Sequence, residues 1–252
     1  MHAISNVNSI NIVQKSVQRR LPLPSDRPFV LRSTAPFGSA LQFLAWELDL
    51  EWLRRPLPVF PAIFPWTVVV FFGTSLVLIF LALALKTGSA QYQAAGKALG
   101  VIFGLVASVF LLEYGFSRPV STFDTLLFGQ LLFKAGGTFP GRPAVQTCAT
   151  FFMLAVATLV FDRKDKRRIE AFQVVVALAM FLPLLAIHGY LLSATVFQSL
   201  GRKPTTEMAV PTLLLFCVSG VGFFSFFPKE GLVSLVLGKD WRPSRFEGFC
   251  PR

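Results

Sequence analysis

The chain has 252 residues, 54% hydrophobic and 15% charged, with 28 Phe, a mean hydropathy of +0.61 and a formal net charge of +11. Soluble domains carry about 25% charged residues, so this composition excludes a water-facing globular domain and points to a membrane protein. The basic residues sit in loops beside apolar runs, which suits anionic lipid headgroups and not nucleic acid.

Residues 1–60 read as an extended basic, Pro-punctuated arm. It lacks the apolar core of a cleavable signal peptide, so the first membrane helix is expected to serve as the targeting signal. Within the arm, residues 39–53 (SALQFLAWELDLEWL) read as an amphipathic helix at the membrane interface, N-capped by Ser39. Leu41, Leu44, Leu48 and Trp52 share one face, Glu47 and Glu51 another, and Trp46 and Trp52 are candidate interface anchors. Docking on another protein is the equal alternative, because acidic residues suit anionic lipid poorly.

Five apolar runs follow: Ile63–Leu85, Leu99–Leu112, Val145–Phe161, Ala171–Leu192 and Met208–Phe227. The second reaches spanning length as Gly96–Gly115 if Lys97 snorkels to the interface. The expected fold is all-α, a polytopic bundle of about five transmembrane helices over residues 61–238, since lipid admits helices or closed barrels and these runs lack strand alternation. Residues 116–146 form a lid over the bundle, with "TFDTLLFGQLLF" apolar enough to lie in the interface, and residues 239–252 form a tail.

Loop charge sets the expected orientation. The loop "DRKDKRR", 162–168, holds five basic residues and the chain after Phe227 holds five more. By the positive-inside rule both are cytoplasmic, here beneath a bacterial inner membrane. Five spans would then put the N-terminus outside, where the seven basic residues of 1–60 fit badly. An extra membrane element before residue 60 would remove the conflict.

A pattern recurs at three helix entrances: Thr67 with Phe71, Thr147 with Phe151, and Thr212 with Phe216, each preceded by a Pro (Pro65, Pro143, Pro211). The four-residue spacing puts hydroxyl and ring on one stripe, and the Pro suits a first turn, so the pattern reads as a repeated scaffold element. In the second span Gly96, Gly100, Gly104 and Ser108 recur every four residues, a close-packing face for a helix of this chain or of a partner. Pro183 is expected to kink the fourth span.

His188 is the one histidine within a span. It could hold a chlorophyll-type magnesium or one side of a haem, or serve as a hydrogen-bonded helix contact; no cofactor is required, and bound lipid or pigment is the candidate class. Glu113 reads as an interface residue at the end of the second span. Cys148, Cys217 and Cys250 have no pairing or metal-ligand spacing and read as free thiols. No nucleophile elbow, phosphate loop or paired intramembrane carboxylate appears, so no catalytic residue is assigned and an enzyme is not expected. Asp124 and Arg142 remain as candidate ligand-lid residues.

From Leu112 onward the order of motifs resembles a bacterial group. Leu112-Glu113-Tyr114 ends a helix, Phe123-Asp124-Thr125-Leu126-Leu127-Phe128 follows in the lid, Arg142-Pro143 with Thr147-Cys148 opens the next span, and Met208-Ala209 precedes Thr212. This resembles the multi-span membrane sensory input domains (MASE-like) that precede histidine kinase and diguanylate cyclase modules, over residues 63–238. Pro143 and Cys148 depart from the group's Met and Ala. The chain stops at Arg252, 25 residues after Phe227, which is too short for an output module. The first functional expectation is therefore a non-catalytic accessory subunit packed among other membrane protein subunits, in a complex that could hold pigments or redox cofactors. The second is a sensory input module that binds a small or lipid-like ligand and signals through a separate output partner. A weaker third is an enzyme or carrier acting on lipids through His188 or Glu113.

Overall fold

A computed structural model of the chain describes residues 27–56, 61–116, 122–135, 139–192, 194, 206–227 and 231–233. The arm before residue 27, the 239–252 tail and Cys250 lie outside the described residues, as do parts of the lid. Every described element is helical and none is a strand. In chain order they are α1 (Arg27–Glu47), α2 (Glu51–Arg54), α3 (Pro65–Thr87), α4 (Ala90–Gly115), α5 (Gly129–Ala135), α6 (Val145–Val160), α7 (Lys166–Leu191) and α8 (Val210–Phe224).

Three of these, α3, α4 and α7, are long and apolar enough to cross a membrane, which marks the chain as a membrane protein. The apolar α6 and α8 have 16 and 15 residues. At about 1.5 Å per residue they fall short of a ~30 Å hydrocarbon core. Among the described residues, three of the five expected spans therefore have full spanning length as helices, and two are shorter. The reason lies at the entrances: the helices start only after Ala144 and Ala209, whose ψ angles of 150° and 146° are not helical, and residues 140–144 and 208–209 are buried although not helical.

The N-terminal region differs from the sequence expectation. Ser39 is not an N-cap; it lies buried inside α1, whose described residues run from Arg27 to Glu47. The helix ends where Asp49 turns left-handed at φ 50°. The stripe of Leu41, Leu44 and Leu48, with Trp52 beyond, faces outward, and Ser39, Gln42, Ala45 and Trp46 face the bundle. Acidic Glu47 and Asp49 are exposed as well, so the outward side carries both apolar and charged residues.

α3 is the central helix. It packs on α1, α4 and α8 and touches α6; the outer circuit runs α4 to α6, α6 to α7, α7 to α8, and α8 to α1. Hydroxyls inside the bundle bond within their own helices: Thr74, Ser75, Thr150 and Thr158 donate to the carbonyls four residues back at 2.7–2.9 Å. The small-residue stripe of α4 is used within this chain. A Cβ on Gly96 would press on Leu81 of α3, on Gly100 against Thr158 of α6, and on Gly104 to 2.7 Å from Ala155. Ser108, half-buried, donates to Gly104 O at 2.8 Å.

The Thr/Phe repeat has a common destination. Thr67, Thr147 and Thr212 are all buried. Phe71, Phe151 and Phe216 meet at the bundle axis with centroid separations of 4.7, 4.6 and 4.9 Å. Tilted and edge-on arrangements let the positive edge of one ring meet the negative face of the next. Three helices that enter from the lid side thus carry their rings to one depth.

Candidate functional site

The buried chemistry gathers at the lid. Arg142 and Asp124 are both fully buried. Arg142 donates from Nε to Asp124 Oδ1 at 3.1 Å and from Nη2 to Asp124 Oδ2 at 2.7 Å, a two-pronged pair matched to the planar guanidinium. Its Nη2 also lies 3.3 Å from Glu113 Oε2 at the end of α4. The cation is flanked by Phe139 at 4.7 Å and Tyr114 at 5.2 Å from the ring centroids.

Local backbone makes this joint possible. Gly141 sits at φ 89°, the left-handed region, and a Cβ there would run into the Asp124 carbonyl. Glycine is thus what lets the segment leading into α6 cross close to the lid. The hydroxyl of Tyr114 lies 3.1 Å from Pro143 O, to which it donates, and 3.2 Å from Thr206 Oγ1. Tyr190 donates to Met208 O. One polar cluster therefore joins the end of α4, the lid, the entrance of α6 and the entrance of α8.

Aromatic contacts hold the rest of the lid down. Trp66 donates from Nε1 to Phe123 O at 2.8 Å and stacks on the Phe123 ring at 4.5 Å, with Phe110 of α4 at 5.2 Å. Farther along, Phe128 lies against Phe43 and Trp46 of α1, and Leu132 is buried with Trp46 and Phe64. Trp46 donates to Ile63 O at 2.9 Å and carries the Arg54 guanidinium over its ring at 4.5 Å.

The sequence candidates separate cleanly. Asp124 and Arg142 come together, and Glu113, read as an interface residue, joins them. His188 does not join any cluster: it is exposed on α7 and its Nδ1 lies 2.8 Å from Leu184 O of its own helix. Cys148 is buried and Cys217 exposed. α7 continues as a helix through Pro183. Among the described residues no three His, Cys, Asp or Glu side chains are placed to hold a metal ion. A cavity of about 10 Å³ between α3, α4 and α6 is too small for a ligand.

Sequence reading missed two features. Gln173, buried in α7, donates to Phe227 O at 3.2 Å and accepts from Val233 N at 3.5 Å, and a Cβ on Gly231 would run into its Oε1; a lone Gln in an apolar run was the available signal. The second is the junction of α1 and α2, where Arg54 and Arg55 meet the lid. Compared with protein families, curated proteins and solved structures, the chain matches no family model, no curated protein and no solved structure.

Proposed function

We propose that the chain is a non-catalytic, membrane-embedded input module in which the latched lid responds to a ligand and the bundle relays that response to an output partner. The observation that carries this reading is the Arg142 joint, which ties the lid to the end of α4 and the entrance of α6 through one buried cation, with Tyr114 beside it bonded to Thr206 ahead of α8. A buried ion pair is a poor device for stability alone, since apolar residues of similar volume serve as well or better. It is a good device for a two-position contact, because a half-broken pair is strongly disfavoured. The motif order shared with bacterial sensory input domains supports the same reading.

In this reading α6 and α8 cross the membrane together with their buried extended entrances, which lipid tolerates because protein covers them. α1 inserts beside α3 and α8 as a sixth element. Both termini and the 162–168 loop then face the cytoplasm of a bacterial inner membrane, and the lid faces the other side. That places the basic residues before α1 where the positive-inside rule wants them.

The alternative, an accessory subunit in a larger complex, draws on the outward Leu ridge of α1. The stripe of α4 no longer supports it, being filled from within. Hydrogen exchange of the full chain in nanodiscs tests the first reading. Asp124→Asn should raise exchange across 122–128 more than tenfold and change protection in 206–224 as well. Loosening confined to the lid, with 206–224 unchanged, would count against relay, and stoichiometric co-purifying subunits after mild solubilisation would favour the alternative.

A further inference from the structure

A cavity of about 160 Å³ opens where α1 and α2 meet the lid, lined by Trp46, Asp49, Arg54, Arg55, Ala62 and Leu131, with Glu51 at its rim. It is far larger than the ~15 Å³ that a single water needs. Its cations are not equivalent. Arg54 is buried and committed: Nη2 pairs with Asp49 Oδ1 at 2.5 Å and the guanidinium covers Trp46. Arg55 is half-buried, and its Nε is enclosed with no hydrogen-bond partner. An enclosed guanidinium N–H is a donor that never titrates away, so an acceptor bearing negative charge is what completes it. Asp49 is engaged by Arg54, and Glu51 is exposed to solvent. The rest of the wall, Trp46, Ala62 and Leu131, is apolar.

We infer that this cavity is a binding site for a small anionic group, a phosphate or carboxylate, that the Arg55 guanidinium grips while the attached body rests on Trp46, Ala62 and Leu131. Leu131 belongs to the lid, so occupancy would stiffen the lid against α1. Exposed Leu48 and Trp52 beside the site suit the headgroup layer, so the anion has two sources: a lipid phosphate or a free small molecule. The inference rests on the input-module reading only for the use made of the ligand; binding is measured separately from relay.

The test uses the full chain in a neutral maltoside detergent. One arm titrates inorganic phosphate by calorimetry; the other adds phosphatidylglycerol and counts bound lipid by native mass spectrometry. At least one arm should saturate, and Arg55→Gln should weaken it tenfold or more. Arg163→Gln, at the far end of the bundle, should leave it unchanged. Saturation by phosphate assigns a free ligand; saturation by phosphatidylglycerol alone assigns a headgroup. If Arg55→Gln does not fold, Arg55→Lys keeps the charge, lacks the Nε–H, and should still weaken binding severalfold. The proposal fails if neither probe saturates, or if a folded Arg55 variant binds like the parent. Failure here with relay intact in the lid-exchange experiment would remove the ligand class and leave the input module.

Discussion

The two ends of the bundle are closed by different chemistry. At the lid end, a single buried cation joins two carboxylates from separate segments. At the other end, Phe161, Phe172, Phe223, Phe226 and Phe227 pack ring on ring at 5.4–6.3 Å. The buried and half-buried polar groups there meet backbone carbonyls: Arg163 donates to Gly88 O at 2.9 Å, Gln93 to Phe161 O at 3.3 Å and Gln173 to Phe227 O, while Arg168 pairs with Asp162 and Asp165 at the surface. Aromatic packing yields gradually, since each ring has several neighbours. The ionic joint has two states, since a carboxylate either holds the guanidinium or strands it. On the proposed reading, the closed end supplies rigidity and the lid end the switch.

Breaking the joint should have the largest effect. Arg142→Met leaves Asp124 and Glu113 facing each other in a buried site, and about 3–5 kcal/mol of stability should go, read as early unfolding in detergent. Adding Asp124→Leu and Glu113→Gln should restore most of that stability without restoring relay to α8. A triple variant as unstable as Arg142→Met would show that the joint stabilises more than it switches.

Next comes the three-ring contact on the axis. Phe216→Ala should cost about 3–5 kcal/mol by opening a cavity between α3, α6 and α8, and Phe216→Leu much less; equal losses would mean that the rings do not act as a unit. Gly104→Ala forces α4 away from Ala155 and should cost about 1–3 kcal/mol, seen as a lower apparent melting temperature. Gln173→Leu at the closed end should cost about 1–3 kcal/mol by stranding the Phe227 carbonyl, and it should expose residues 231–233 to exchange while the lid stays protected. His188→Ala should be nearly silent, within about 0.5 kcal/mol, because the side chain is exposed and bonds only its own helix. A visible absorption band lost in that variant would instead restore the cofactor reading of His188.

Parts of this architecture are legible from spacing alone. Hydropathy marks the cores of α3, α4 and α7, because their apolar surface is continuous along the chain. The Thr/Phe pattern marks three equivalent helix entrances, since a four-residue spacing has one meaning on a helix. Asp124 and Arg142 stand out as charges in an apolar lid. Glu113 does not, because its importance depends on where α4 ends relative to residue 142. Ser39 misleads because a capping residue type has the same appearance inside a helix. His188 misleads because burial of a membrane histidine depends on which side of α7 meets α6 and α8.

The sequence by itself determined that the chain is helical and belongs in a membrane, since lipid allows no backbone hydrogen bond to go unmade and that requirement is local. It also determined which residues carry Phe and Thr to a common depth. Only the tertiary structure decided that the three rings touch, that the α4 stripe is filled by this chain's own helices, that α1 runs through Ser39 and turns its Leu face outward, and that one arginine closes the lid on two carboxylates. Those outcomes depend on the rotation and axial offset of one helix against another. Packing sets both, and no periodicity along the chain encodes them.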